Sequence, residues 1–278
     1  MSAVTARRST LPGFGLTMGL TLTWLSLIVL IPLAGLFVKT FELSPDQFWG
    51  IVSSRRTLSA LKVSFGLSLA AAVVNLVMGT IVVWALVRYR FPGRRIFDAI
   101  VDVPFALPTA VAGVALTALF ADRGWLGAPL KSLGIKVAFT PVGIFVAMIF
   151  IGIPFVVRTV QPVLIDLDPE IEEAAASLGA SRWHIITKVI LPSLAPALLT
   201  GLALAFARAV GEYGSVIFIA GNLPNVSEIA PLLIVIRLSE FRYADATAIA
   251  VVMLVASFLI IFAVNRLQRW MQIRAPVH

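Results

Sequence analysis

The sequence predicts an all-α integral membrane protein with six transmembrane helices, and three observations carry that prediction. The 278 residues are 59% hydrophobic and only 13% charged, where soluble domains carry about a quarter charged residues. Mean hydropathy is +0.98. Stretches free of Asp, Glu, Lys and Arg recur at the length a bilayer demands, roughly 20 mostly apolar residues per helix. A water-soluble enzyme of this size is excluded.

The first such stretch, Ser9 to Val38, follows Arg7 and Arg8. A secretory signal has an apolar core of about 7 to 15 residues and then a small-residue cleavage site. This run is far longer and passes through Trp24 and Pro32, so it reads as an uncleaved first span. Val63 to Val87, Val103 to Ala121 and Val137 to Val157 supply the next three. Val189 to Ser227, broken only by Arg208 and Glu212, reads as one fifth span. Two arms of about 15 residues would each fall short of the 17 to 25 that crossing requires. Ile229 to Ile236 is too short to cross and is placed as an interfacial or re-entrant piece beside the sixth span, Ala246 to Asn265.

The net charge is +8 and the pI about 10.6. No basic, aromatic-rich polar domain exists to use that charge on nucleic acid, and membrane topology accounts for it. With the N-terminus in the cytoplasm, 12 basic residues fall inside and 9 outside, the sense of the positive-inside rule. The densest group is RYRFPGRR, Arg88 to Arg95. Both termini are then cytoplasmic. There is no cysteine, and the two histidines are His184 and His278, so no metal site and no thiol chemistry are expected.

Five of the 14 acidic residues gather at Asp166, Asp168, Glu170, Glu172 and Glu173, in the predicted cytoplasmic loop 158–192. The local grammar there is helical. Asp168 can cap a helix whose first residue is Pro169, with Glu170 complementing the positive end of its dipole. Ala174, Ala175 and Ala176 favour helix, and Gly179 suits a left-handed stop. Ser181 can cap a second short helix carrying Trp183, Ile185 and Ile186, which Pro192 separates from the fifth span. The expected shape is a compact protrusion able to enter a groove on another protein.

The string EAAASLGASRWHIITKVILP, Glu173 to Pro192, resembles the cytoplasmic EAA loop of binding-protein-dependent ABC importer permeases of type I. It supplies Glu173, Ala174, Ala175, Gly179, Leu191 and Pro192, with Val189 where the family more often has isoleucine. DVPFALPTAVAG (Asp102 to Gly113), PFVVRTVQPVL (Pro154 to Leu164), ARAVGEYGSVIFIAGN (Ala207 to Asn222), RYRFPGRR and the N-terminal LPGF (Leu11 to Phe14) are similar to oxyanion importer permeases. The likeness is greatest to the T-type permeases of sulfate/thiosulfate importers and runs from about Leu11 to the last span.

The resemblance implies a division into residues 1–60 (tail, first span and periplasmic loop), 61–265 (five-helix permease core with the coupling loop) and 266–278 (basic cytoplasmic tail). It also implies a place in the inner membrane and partners: a cytoplasmic ABC ATPase dimer docked on the loop through Glu172, Glu173, Ala174, Ala175, Gly179, Leu191 and Pro192, a second, W-type permease, a periplasmic sulfate/thiosulfate-binding protein, and membrane lipid. The chain has no G-x-x-x-x-G-K-[ST] phosphate loop. It is therefore expected to be no enzyme and to hold no cofactor, ATP being bound by the partner.

Within the spans, Arg208 is expected roughly 20 Å deep, with Glu212 one helical turn away. Two readings stand open: Arg208 lines the translocation pathway with Glu212 restraining it, or the two form a structural ion pair. Pro104 and Pro108 interrupt the third span beside Thr109, so Pro108 and Thr109 are either pathway candidates or a packing kink. Asn75 is either a pathway residue or an interhelical hydrogen bonder. Asp98 and Asp102 are expected to pair with Arg94 or Arg95. A molybdate/tungstate permease is the alternative within the family. An ion-coupled secondary anion transporter is the alternative outside it, but no second copy of the Arg208 surroundings is found in the first half.

Overall fold

A computed structural model of the chain describes residues 13–274. Arg7, Arg8 and the last four residues lie outside them. Every element among the described residues is helical: α1 (Phe14–Phe41), α2 (Pro45–Val52), α3 (Arg55–Arg88), α4 (Arg94–Val101), α5 (Val103–Ala106), α6 (Thr109–Phe120), α7 (Gly127–Ser132), α8 (Pro141–Ile165), α9 (Pro169–Ser177), α10 (Arg182–Val210), α11 (Val216–Ile219), α12 (Ala230–Ser239) and α13 (Tyr243–Arg274). Five of them, α1, α3, α8, α10 and α13, are long and apolar enough to cross a membrane.

The centre is a three-helix pack of α3, α8 and α10. The buried face of α3 reads Thr57, Ala60, Ser64, Ser68, Ala71, Ala72, Asn75, Gly79, Val83 and Leu86. Lipid is as apolar as leucine, so helices associate in membranes by close van der Waals fit between small residues. That fit is visible at three glycines. A methyl group on Gly79 would stand 2.9 Å from a Val156 methyl, one on Gly201 would meet the Val156 Cα at 3.1 Å, and one on Gly152 would overlap the Asn75 amide. The close approach of the three helices depends on these positions.

The third span is interrupted beside its prolines, as the sequence predicts: α4, α5 and α6 follow one another with breaks at Asp102 and at Leu107–Pro108, where the backbone is extended. Pro108 has no N–H to donate to the carbonyl of Pro104, one turn back, and it disfavours helix at Leu107. Two expectations are corrected. First, Val189 to Ser227 crosses once but is not one continuous helix. The helix ends at Val210, the chain turns through Gly211, and α11 and an irregular stretch carry it on to α12. The segment still traverses once, because Ile219 O accepts from Phe139 N at 2.7 Å and Ala230 N donates to Ser64 Oγ at 2.8 Å, at the ends where α8 and α3 begin.

Second, Pro192 does not separate the loop helices from the span. α10 runs without interruption from Arg182, and a π-helical turn at Ile186–Ile190 widens the helix just before the proline. The wider turn makes room for a ring that would otherwise press on the carbonyl one turn back. The basic stretch that begins at residue 266 is helical as far as Arg274, because α13 continues through it. Ile229 to Ile236 falls largely within a short helix, α12, packed beside α13. The second half of α1 also lies against α13, although neither half buries a residue.

Candidate functional site

Two places concentrate polar chemistry, one in the middle of the bundle and one at its end. Ala205 of α10 and Asn75 of α3 both lie against Gly152, near the middle of α8. Arg208 is less than one helical turn further on. It therefore sits at mid-depth, where α10 stops.

The stop is built by Glu212. Its Oε1 accepts from the Ser215 backbone N–H at 2.8 Å and from the Ser215 hydroxyl at 2.9 Å, and its Oε2 accepts from Arg208 Nη1 at 2.5 Å. The carboxylate is 2% exposed and accepts three hydrogen bonds, while the Arg208 side chain is 31% exposed. A guanidinium has five N–H donors, and among the described residues Arg208 spends one. The site thus joins a closed carboxylate to a cation with donors to spare. A lone charge at the bilayer centre costs about 2.5–3.5 kcal/mol on insertion scales, which the Glu212 contact offsets.

The break in the third span lies beside this turn. Pro108 caps α6 and Thr109 begins it. Any side chain on Gly214 would overlap the Thr109 hydroxyl, and any on Gly113 would overlap the Ser215 backbone. The four pathway candidates, Pro108, Thr109, Arg208 and Glu212, are therefore brought to one locality. Asn75 is fully buried, and neither its amide oxygen nor its nitrogen has a protein partner. It lies on the buried face of α3, against Gly152 of α8.

At the loop end, Asp168 Oδ1 accepts from Glu170 N at 2.9 Å and α9 begins at Pro169. Gly179 has φ +84, the left-handed conformation that stops the helix, and Ala180 N closes the turn on Ala175 O at 3.1 Å. Ser181 caps α10. Ala175 and Ala180 pack down on the core, whereas Glu173 and Ala174 are exposed, as are Ile171, Leu178 at 88% and Trp183 at 71%. Glu172 faces inward and pairs with Arg88 at the end of α3. Leu191 and Pro192 lie further along α10, where Leu191 lines an apolar groove with Trp183, Leu76, Trp84 and Leu198.

One polar cluster overturns an expectation. Asp98 and Asp102 pair with Arg158 of α8, not with Arg94 or Arg95: Nη1 lies 2.7 Å from Asp98 Oδ1, and Nε and Nη2 lie 2.8 and 2.7 Å from the Asp102 oxygens. The Arg158 hydrogen bond holds the Asp98 carboxyl below the usual aspartate range, against the opposing effect of burial. The i, i+4 spacing of the two aspartates puts both on one helix face, the one feature of the sequence that fits a shared partner, though it does not say which one. Ser215, which fixes Glu212, and the buried Glu228, gripped by Arg56 with contacts of 2.6 and 2.8 Å, had no such local signal.

Residues 75–275 match the family model described as binding-protein-dependent transport system inner membrane component. The chain is 50% identical over 268 residues to the sulfate transport system permease protein CysT of Escherichia coli strain K12, covering 96% of each chain. It is 48% identical over 250 residues to the CysT protein of Synechococcus elongatus, covering 90% of each. Among solved structures, a chain of a bacterial alginate ABC transporter in complex with its periplasmic protein superposes with a TM-score of 0.75 at 21% identity, covering 93% of this chain and 95% of that one. A chain of the MetNI methionine ABC transporter superposes at 0.59 with 18% identity, covering 82% and 99%. The fold is thus that of ABC importer permeases, and the chain belongs to the family of binding-protein-dependent transport system inner membrane components.

Proposed function

We propose that the chain is the sulfate/thiosulfate-translocating permease of an ATP-driven importer in the inner membrane. It works with a cytoplasmic ATPase dimer, a second permease of W type and a periplasmic binding protein. The observation that carries the substrate side is Arg208: a partly exposed guanidinium at mid-depth whose countercharge is turned inward and hydrogen-bonded. Such a group attracts a dianion through its free donors. Glu212 restrains it, so the anion meets less than a full positive charge and is not trapped. Thr109, at the start of α6, adds a hydroxyl beside the same break, and a helix start favours anions through its free N–H groups. The identity to the two sulfate permeases supports the same reading.

The energy side rests on α9. The chain has no phosphate-loop motif of its own, so work must arrive through a rigid contact, and α9 is a capped helix with Ile171, Ala174 and Leu178 exposed along one side. Glu172 transmits rather than docks: through Arg88 it ties the loop to α3, and hence to the central pack. With this loop in the cytoplasm, α13 returns its C-terminal end to the same side.

The test is uptake of labelled sulfate into proteoliposomes holding the complete importer. Uptake should require ATP and the binding protein and should be competed by thiosulfate. Uptake by this chain alone on an ion gradient would overturn the proposal, and competition by molybdate but not thiosulfate would move it to the molybdate/tungstate branch. Arg208→Ala should abolish transport with the complex still assembled. A variant that no longer assembles would assign the pair a structural role only.

A further inference from the structure

α4 is inverted relative to a helix at a water-facing surface. Its charged side turns inward, where Asp98 and Asp102 bind Arg158 and Val101 is buried. Its apolar side turns out: Ile96, Phe97 and Ile100 are 66%, 57% and 54% exposed, and their i, i+1, i+4 spacing makes one contiguous face. The preceding turn, Tyr89 to Gly93, is shaped by Gly93 at φ +81 and by Phe91, which packs on the core and meets Phe97 edge to face at 5.8 Å. Arg90, Arg94 and Arg95 stand on this turn and the start of α4. Among the described residues no carboxylate lies within 4.0 Å of any of the three.

The position defines what such a surface meets. α3 has just completed its crossing at Arg88, and α4 leads the chain back toward α6 and mid-depth. Arginines thus lie at the loop end of the bundle, next to an outward apolar face that continues inward from them. A medium that is negative at its surface and apolar just beneath matches that order, and an amphipathic segment with basic residues beside aromatic and aliphatic ones is how helices bind anionic membranes.

We propose that residues 89–100 form a binding surface for anionic phospholipid, with Arg90, Arg94 and Arg95 on head-group phosphates and Ile96, Phe97 and Ile100 among the acyl chains. The surface is linked to the loop helix by two sets of ion pairs. Arg88, in the same turn, holds Glu172 of α9, and Asp98 and Asp102 hold Arg158 of α8, seven residues before that helix ends. Resting on the coupling role assigned above to α9, head-group binding then steadies the base of the coupling helix and raises ATPase turnover.

The experiment uses the assembled importer in nanodiscs of phosphatidylcholine, with or without a minor fraction of phosphatidylglycerol. Spin-labelled phosphatidylglycerol should show a protein-immobilised fraction that falls with added salt and drops by roughly fivefold in affinity for each arginine removed. R90Q/R94Q/R95Q should lose the phosphatidylglycerol stimulation of ATP hydrolysis and keep the activity seen in phosphatidylcholine alone. Salt-insensitive association in the parent, or equal association in parent and variant, would overturn the lipid surface. Dissociation of the second permease from I96S/F97S would also overturn it, by showing that a protein covers this face. Lost lipid association with unchanged stimulation would overturn only the link to α9, leaving the binding surface in place.

Discussion

The loop around α9 and the turn at Glu212 both interrupt the passage of helices through the bundle, yet different physics stops the helix in each. At α9 the signals are local: an aspartate cap, a proline at the first position, a left-handed glycine and a serine cap follow one another within fourteen residues, Asp168 to Ser181. At Glu212 the carboxylate's own partners are near in sequence, but the turn that holds them is fitted against groups from elsewhere. Gly214 must pass Thr109 and Gly113 must pass Ser215 before the carboxylate can gather Ser215 and Arg208. A locally encoded stop tolerates loss of one contact. A stop held by tertiary contacts at mid-membrane does not, because no water is present to satisfy what is released.

The largest effect that would break this contrast is at Glu212. Glu212→Ala leaves Arg208 unpaired and removes the acceptor of the Ser215 N–H, and the loss of one partner of a buried ion pair costs about 3–5 kcal/mol. Thermal unfolding in detergent should show it as a large fall in Tm. An unchanged Tm would mean that the turn is encoded locally after all. Gly214→Val comes next, at about 1–3 kcal/mol for forcing a side chain into a close contact, and it should lower transport together with stability because Thr109 is displaced.

A smaller effect sharpens the loop side of the comparison. Arg88 and Glu172 are about three-quarters buried as side chains, with 22% and 25% exposed, so a double-mutant cycle with Arg88→Gln and Glu172→Gln should give a coupling near 1 kcal/mol, about the upper end for solvent-touched pairs. The same variants should weaken sulfate-stimulated ATP hydrolysis more than they weaken folding. Equal losses in both would remove Glu172 from energy transmission. Glu173→Lys, at an exposed position, should leave stability untouched and disrupt the ATPase contact alone. The smallest effect is Ser181→Ala, about 1 kcal/mol for a lost cap, with transport retained.

Much of this architecture is legible in residue order. Long uncharged runs mark α1, α3, α8, α10 and α13, since the bilayer penalises every unpaired charge. The loop helix is legible down to its capping residues, since caps act within one turn of chain. Arg208 and Glu212 stand out for the same reason as the spans do: charge inside an apolar run is expensive and so has a purpose. Less visible is where a run of apolar residues stops being helix. Val189 to Ser227 looks continuous because hydropathy counts transfer to lipid, not hydrogen bonds, and the stop at Val210 is made by a carboxylate accepting from a backbone three residues later.

The partners of charges divide along the same line. Arg158 could be matched to two aspartates one turn apart only once α4 was known to lie along α8. Arg56 finds Glu228 across 172 positions of sequence. Residue order alone carries the membrane, the location of the long spans and the capped loop, because burial in lipid and capping are decided by what a residue is and by its nearest neighbours. The fit of the Gly211 turn against Thr109, the inversion of α4 and the partners of Arg158 and Glu228 follow from close packing among helices far apart in the chain, where the free energy depends on shape that no local window contains.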